Sequence, residues 1–463
     1  MMNCTAKLAF ALAALVTLAS PGLARAAGPE QAPEAAVLLI SVDGLHPSYV
    51  LEADELGLEI PVLRGILREG AHATAVINVT PTVTYPNHTS IITGVSPARH
   101  GIRTNTVFDP EGLERGAWNW YGSQIQVPTL WDSAKAGGLT TAAVLWPVSV
   151  GHPAIDYNMP EYWRTKNRAS DSHLLYAVST PRGLLETVEG ADRLFDPEAN
   201  PHEWSFDRKL TDIALAMIGA GRPQLLTVHL PGLDSAQHRN GPLPTNEVSR
   251  RTLEEIDGMI GALVAAHRAE YPGLTVAVVS DHGFHPVNAT INLNAAFVDA
   301  GLIELDGNAR MRSWKAWSWN SGGSASVVVR DPADSATVAA VERILAGLAD
   351  DPASGVASVF RGRSAVGEGA LEGAPFMVDA RGGFAFAGAL SGEVVRPQDK
   401  TTGAHGYRNT HPEMNSAFFI MGPDVTAGAD LGTIDIRQIA PTLADVLQVA
   451  LPTATHAPVP LSR

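Results

Sequence analysis

"AAVLLISVDG" (residues 35–44) decides the architecture. The run is apolar almost throughout instead of alternating, so both of its faces must be buried, the pattern of an inner strand in a parallel sheet. It ends in Asp43-Gly44, a polar turn. Two later segments have the same form, "RPQLLTVHLPGLD" (222–234) and "LTVAVVSDHGF" (274–284), and each also ends in acidic residues or histidine. "TTAAVLWP" (140–147) and "NSAFFIMGP" (415–423) read as further strands. Helical patterns lie between them, at 248–267 and 435–447. Strands alternating with helices predict an α/β fold, a doubly wound, mostly parallel sheet flanked by helices. In such sheets ligands gather beyond the carboxyl ends of the strands, where these Asp and His residues fall.

Residues 300–400 differ in texture. A tryptophan cluster (Trp314, Trp317, Trp319) precedes "ASVVVRDPADSATVAAVERILAGLADDP", a strand-turn-helix pattern, and the glycine-rich "VGEGALEGA" (366–374). This stretch is expected to be an inserted α+β subdomain, with 36–299 and 401–450 forming the catalytic core. No internal repeat or low-complexity tract interrupts the chain.

Composition bounds the rest. At 463 residues and 45% hydrophobic content a sizeable core is available. Residues 1–26 read as an export signal: Lys7, the apolar "LAFALAALVTLAS" (8–20) and the small-residue "ARAA" (24–27), with cleavage after Ala26. The apolar run is shorter than the ~20 residues a spanning helix needs, so no stable membrane anchor is expected and the mature chain would be periplasmic or secreted. The only cysteine, Cys4, lies in this leader, so any metal must rely on Asp, Glu and His. A formal net charge of −15, with no basic tract, argues against binding to a nucleic-acid duplex. A small anionic substrate held by metal ions stays open.

Four separated segments end in metal-type donors: Asp43; Asp234 with His238; Asp281 with His282; and His405. Each alone has an ordinary explanation, as a strand-end turn, a helix cap or a surface imidazole. Together they are an oxygen and imidazole set suited to zinc. Asp234 and His238, four apart, share one face of a helix. "TPTVTYPNHTSIITG" (80–94) adds a hydroxyl, Thr84, at the start of an apolar helix, where it could cap that helix, attack an anion held there, or do both. Asn87 and His88 read as bracing for this loop.

"VDG" (42–44), "TYPNH" (84–88), "LDSAQHRNGP" (233–242), "SDHGF" (280–284) and "GAHGYRN" (403–409) together resemble the nucleotide pyrophosphatase/phosphodiesterase family of the alkaline phosphatase superfamily. The resemblance runs in order from about residue 36 to 447 and is weakest over 300–400. It implies an alkaline-phosphatase-like fold and two Zn²⁺, one held by Asp43, Thr84, Asp281 and His282, the other by Asp234, His238 and His405. It also implies Thr84 as nucleophile and Asn105 as an amide donor to a nonbridging phosphate oxygen. Tyr85 would stack on a nucleobase, with Tyr157 as a second face.

Monoesterases of this superfamily resemble one another in a Lys-x-Arg pair that meets the extra phosphate charge. Here the corresponding strand runs "AAVLWPVSVGHP" (142–153), without Lys or Arg, and Trp146-Pro147 resembles the diesterase version. A phosphodiester or nucleotide substrate is therefore expected. Lys166-x-Arg168, a little further on, keeps the phosphomonoesterase alternative open, and a phosphonate hydrolase on the same site is a second alternative. A sulfatase would need a different nucleophile motif. A noncatalytic binding protein predicts a damaged site, yet every one of these positions is filled.

Overall fold

In the computed structural model the run that opens the sequence is a central strand, Ala36–Val42, with every residue buried. It pairs in parallel with Leu225–Leu230 on one side and Leu274–Val279 on the other. The structure describes residues 35–114, 116–163, 171–243, 246–367 and 369–462. The export signal expected over 1–26, and Lys166 and Arg168, lie outside the described residues.

Successive side chains of Ala36–Val42 point to opposite faces. Leu38 and Ile40 join one apolar core, with the helices Pro61–Glu69, Glu203–Gly221 and Glu247–Glu270; Val37 and Leu39 join another, with Thr84–Thr93, Leu130–Ala136 and Ile439–Val446. Both faces are thus covered, which is why the run carries no alternation. The sheet has eight strands, in the order Ala429–Asp430, Ala71–His72, Phe418–Met421, Leu274–Val279, Ala36–Val42, Leu225–Leu230, Thr141–Val144, Tyr157–Met159. All five expected strands are members, and the mostly parallel α/β architecture is borne out. Phe418–Met421 runs antiparallel to both of its neighbours. The helix expected over 248–267 spans Glu247–Glu270, with Asn246 accepting hydrogen bonds from Val248 and Ser249 N–H at its start. The pattern at 435–447 becomes a short 3₁₀ turn, Ile436–Gln438, followed by the helix Ile439–Val446.

A third core lies around a four-stranded antiparallel sheet, Ala316–Asn320, Ser324–Val329, Phe376–Ala380 and Val356–Arg361, packed with helix Ser335–Asp350. Beside it His285–Ile291 pairs with Gly383–Phe386 and Val395–Ala404. Phe108 meets Trp314 and Trp319 edge-on at ring distances of 6.0 and 5.2 Å, and Trp314 Nε1 donates to Glu111. The tryptophan cluster therefore fastens the loop after Asn105 to this second sheet. From Ala35 onward the chain packs as one compact unit.

His100 is wholly buried next to helix Thr84–Thr93. Its Nδ1 accepts from Ile102 N–H, and its Nε2 lies 3.1 Å from Ser90 Oγ. Burial pushes its pKa down to about 3. An unfolded histidine titrates near about 6.5, so acid protonates the unfolded chain first and stability is lost as pH falls from there towards 3, about 2 kcal/mol by pH 5. The native chain should lose more melting temperature between pH 7 and pH 5 than His100→Gln; equal losses would contradict this role.

Candidate metal centre

Strand register sets the geometry. Val42 pairs with Leu230, and Ser41 with Val279, so the three central strands end level. Asp43, the start of the helix that carries Asp234, and Asp281 therefore leave the sheet at the same edge. Asp234 and His238 both lie on helix Gly232–Asn240.

Two clusters form there. In the first, His282 Nε2 lies 3.3 Å from Asp43 Oδ1 and 3.1 Å from Asp281 Oδ2. In the second, Asp234 Oδ1 lies 3.3 Å from His238 Nε2 and 3.6 Å from His405 Nε2, and the two Nε2 atoms are 3.1 Å apart. Donors about 2.0–2.1 Å from a shared tetrahedral centre are separated by about 3.3–3.4 Å, so these are the spacings of ligands around a cation. The His282 and His405 rings stack at 3.6 Å, making the clusters neighbours.

Hydrogen bonding supports the same reading. His238 Nδ1 donates to Gly403 O and His405 Nδ1 to Thr82 O, both at 3.0 Å. A carbonyl only accepts, so each ring keeps its lone pair on Nε2, the tautomer of a metal ligand. Asp43 Oδ1, Asp234 Oδ1, Asp281 Oδ2 and His282 Nε2 are buried without a hydrogen-bond partner. Buried polar atoms seldom go unsatisfied, and a cation in each cluster would satisfy all four.

Electrostatics agree. Burial, reinforced by Asp234, raises the Asp43 carboxyl well above the usual range; burial, reinforced by Asp43, does the same to Asp281. Burial and the neighbouring histidines push His282 well down and His405 down to about 4. Burial opposes charge on Asp234 and His238 too, but their mutual attraction outweighs it, lowering Asp234 and raising His238. Like charges gathered in a dry place call for a positive charge among them.

The aspartates of the first cluster are held from behind. His229 Nε2 lies 2.9 Å from Asp43 Oδ2, which turns Oδ1 towards His282, and its Nδ1 is 3.2 Å from Leu145 O. The sequence reading passed over His229; the signal was an imidazole inside an otherwise apolar strand, which needs a partner. His88 Nδ1 lies 2.9 Å from Thr84 O and 3.5 Å from Asp281 Oδ2. Asn87 accepts from Val79 N–H and donates to Pro81 and Val83 carbonyls, closing the loop before Thr84.

Thr84 is the first residue of helix Thr84–Thr93. Val83 occupies the N-cap and no side chain caps the helix, so the capping alternative for the Thr84 hydroxyl is overturned. Thr84 lines a cavity of about 420 Å³ together with Asp43 and Asp234. Asn105 Oδ1 accepts from the Tyr85 N–H at 2.8 Å, tethering the amide to the start of helix Thr84–Thr93 with Nδ2 as its donor end.

Neither tyrosine stands where a stacking base would need it. Tyr85 is 0% exposed, its ring covered by Ile102, Val148 and Trp118 because the helix start turns it into the core. Tyr157 pairs with Ala142, near the amino-terminal end of its strand, and its ring packs on Gly221; parallel pairing therefore places it at the sheet edge opposite the clusters. The cavity wall is instead Trp118, Trp163, Phe195 and Phe206, with Trp118 resting edge-on against Tyr85 at 5.2 Å.

Such features define a class, α/β proteins shaped to hold cations in adjacent His/Asp clusters beside a helix-start hydroxyl. The chain belongs to the type I phosphodiesterase / nucleotide pyrophosphatase family, whose model matches residues 37–408. It is similar to human ectonucleotide pyrophosphatase/phosphodiesterase family member 1, 26% identical over 260 residues, 53% of this chain and 23% of that protein. It is also similar to the bis(5′-adenosyl)-triphosphatase ENPP4 of Bos taurus, 27% identical over 266 residues, 53% of this chain and 47% of that one. The matched region thus spans between about a quarter and about half of these relatives' length. The solved structure of murine ectonucleotide pyrophosphatase/phosphodiesterase 5, an inactive variant in complex with AMP, shares the fold: TM-score 0.62, 18% identity, covering 90% of this chain and 96% of that one.

Two glycines set the ligand turns. Gly44 after Asp43 has φ +73° and Gly406 after His405 has φ +83°. A Cβ on Gly406 would lie 1.5 Å from the Ser321 carbonyl oxygen, a clash the backbone cannot avoid. Gly406→Ala should cost at least about 2 kcal/mol of stability, through left-handed strain plus displacement. Denaturant unfolding checks this, and a loss under about 0.5 kcal/mol would contradict it.

Proposed function

We propose that the chain is an exported two-zinc phosphodiesterase/nucleotide pyrophosphatase acting through a covalent threonine intermediate. The observation that carries this reading is the pair of Asp/His clusters, with their unsatisfied buried donors, each giving one aspartate, Asp43 or Asp234, to the cavity that Thr84 lines. Asp43, Asp281, His282 and Thr84 would hold one zinc; Asp234, His238 and His405 would hold the other. When bound, paired divalent charge acidifies a hydroxyl beside it and offsets charge on the phosphate oxygens.

In this reading Thr84 Oγ1 loses its proton and attacks phosphorus. The P–O bond to the leaving group breaks in line, and the leaving group takes up a proton. Asn105 Nδ2 donates to a nonbridging oxygen, an interaction that strengthens as charge develops. Water then displaces Thr84 from phosphorus and releases a monophosphate. His229 and His88 serve as positioning residues, holding Asp43 and the Thr84 loop. Trp118 and Trp163 offer a sequence-tolerant wall for a nucleobase.

Charge on the cavity wall favours a diester. Among the described residues that line the cavity the one arginine or lysine is Arg239, and both Glu203 oxygens accept from its Nη1 at 2.6 Å. Trp146, where the monoesterase pair would stand, is buried against His88. The extra charge of a monoester thus meets no spare cation there. Nucleotides fit as substrates: the similar murine protein has been seen with AMP, and the relatives bear nucleotide pyrophosphatase names. Export rests on the leader pattern of residues 1–26. No helix among the described residues is long and apolar enough to cross a membrane. Residues 300–400 remain an inserted subdomain in this proposal.

The chain should hydrolyse bis-p-nitrophenyl phosphate faster than p-nitrophenyl phosphate, and a chelator should abolish both activities. The reverse preference would replace this reading by a phosphomonoesterase, and activity indifferent to chelator would remove the metals from it. Thr84→Ala should lower kcat by about 10³-fold or more, with wild-type folding by circular dichroism. Native-like turnover in that variant would dismiss Thr84 as nucleophile.

A further inference from the structure

A third donor cluster lies behind the first two. One ring nitrogen each of His285 and His411 and a carboxylate oxygen of Glu413 lie within 4.8 Å of one another. His285 Nε2 is 3.3 Å from Glu413 Oε2, again the edge length of a zinc tetrahedron, about 3.3–3.4 Å. That Nε2 is buried without a hydrogen-bond partner on a residue only 8% exposed, the same signature seen at His282.

His411 is prepared in the way metal-ligating histidines are. Its Nε2 lies 2.9 Å from Asp379 Oδ2, and the other Asp379 oxygen accepts from Arg408 N–H at 3.1 Å. An acceptor-only carboxylate fixes the proton on Nε2 and leaves the lone pair on Nδ1, the carboxylate–histidine arrangement found behind metal sites. Tyr407 closes one side, its ring 4.8 Å from His285 and 5.2 Å from His411. The Glu413 side chain is half exposed, so water can supply a fourth ligand.

We infer that His285, His411 and Glu413 form a structural site for a divalent cation of the zinc type, separate from the two clusters in the cavity. Two imidazoles and a carboxylate are a donor set zinc accepts. The site's place gives it a purpose. His285 opens a strand three residues after His282, and His411 and Glu413 follow His405 in the next ligand-bearing segment. The two segments already touch, Gly283 N–H donating to Met414 O at 3.1 Å. A cation here would lock together the loops that carry His282 and His405.

The competing account is a plain His285–Glu413 ion pair, and metal counting separates the two. The full chain is stripped with chelator, reloaded with Zn²⁺, and its bound zinc counted by native mass spectrometry. Glu413→Gln, at a half-exposed position that leaves the packing intact, and His411→Gln should each hold one zinc fewer than the native chain. Both should also gain less melting temperature on zinc addition. In a Glu413→Gln/Asp234→Asn double variant the losses should add. Unchanged stoichiometry in both single variants would overturn the site. A native chain that loses its sole zinc on Glu413→Gln would support this site while refuting the two-zinc centre.

Discussion

Parallel pairing of Ala36–Val42 with a strand on either side is the constraint on which the rest depends. Because the register brings three strand ends level, three acidic side chains leave the sheet at one edge. Backbone hydrogen bonds and two apolar cores fix that register, so the carboxylates cannot move apart to relieve their repulsion. Stability of the sheet is thereby converted into a preorganised demand for positive charge.

The fold answers that demand with imidazoles oriented by backbone. Gly403 and Thr82 carbonyls take the Nδ1 protons of His238 and His405, and so aim both Nε2 lone pairs at Asp234. Those carbonyls belong to segments far apart in sequence, one of them in the loop that leads to Thr84. The segment that leads to Thr84 and the second cluster are therefore coupled: Thr82 O accepts from His405 Nδ1, and Thr82 Oγ1 donates to Tyr407 O. On the other side His229 reaches from an inner strand to Asp43, tying the first cluster to the core. The Thr84 hydroxyl and one aspartate of each cluster, Asp43 and Asp234, line one cavity because these ties converge there.

Much of this was legible residue by residue. Continuous apolar runs revealed the inner strands because burial on both faces erases alternation. Asp43, Asp234, Asp281 and His282 were legible because each stands just past such a run. Tyr85 misled because adjacency to Thr84 in sequence says nothing about which way a helix start turns a ring; here it turns into the core. Tyr157 misled because a short strand gives no sign of which end of the sheet a residue occupies. Trp118, one of the aromatics that do line the cavity, lies in a loop without periodicity. His229 was hidden in a run read only for its hydrophobicity.

The sequence by itself determined that there would be a mostly parallel sheet with donors at its strand ends, since that follows from burial and turn chemistry acting over a few residues. It also determined that any metal would be held by oxygen and imidazole, because the chain has no cysteine after Cys4. Only the tertiary structure decided which donors share a centre, which tautomer each imidazole holds, and which aromatic rings line the cavity. Those depend on register and on contacts between residues hundreds of positions apart, such as His229 with Asp43 and His405 with Thr82. No local propensity encodes such distances; packing of the whole chain sets them.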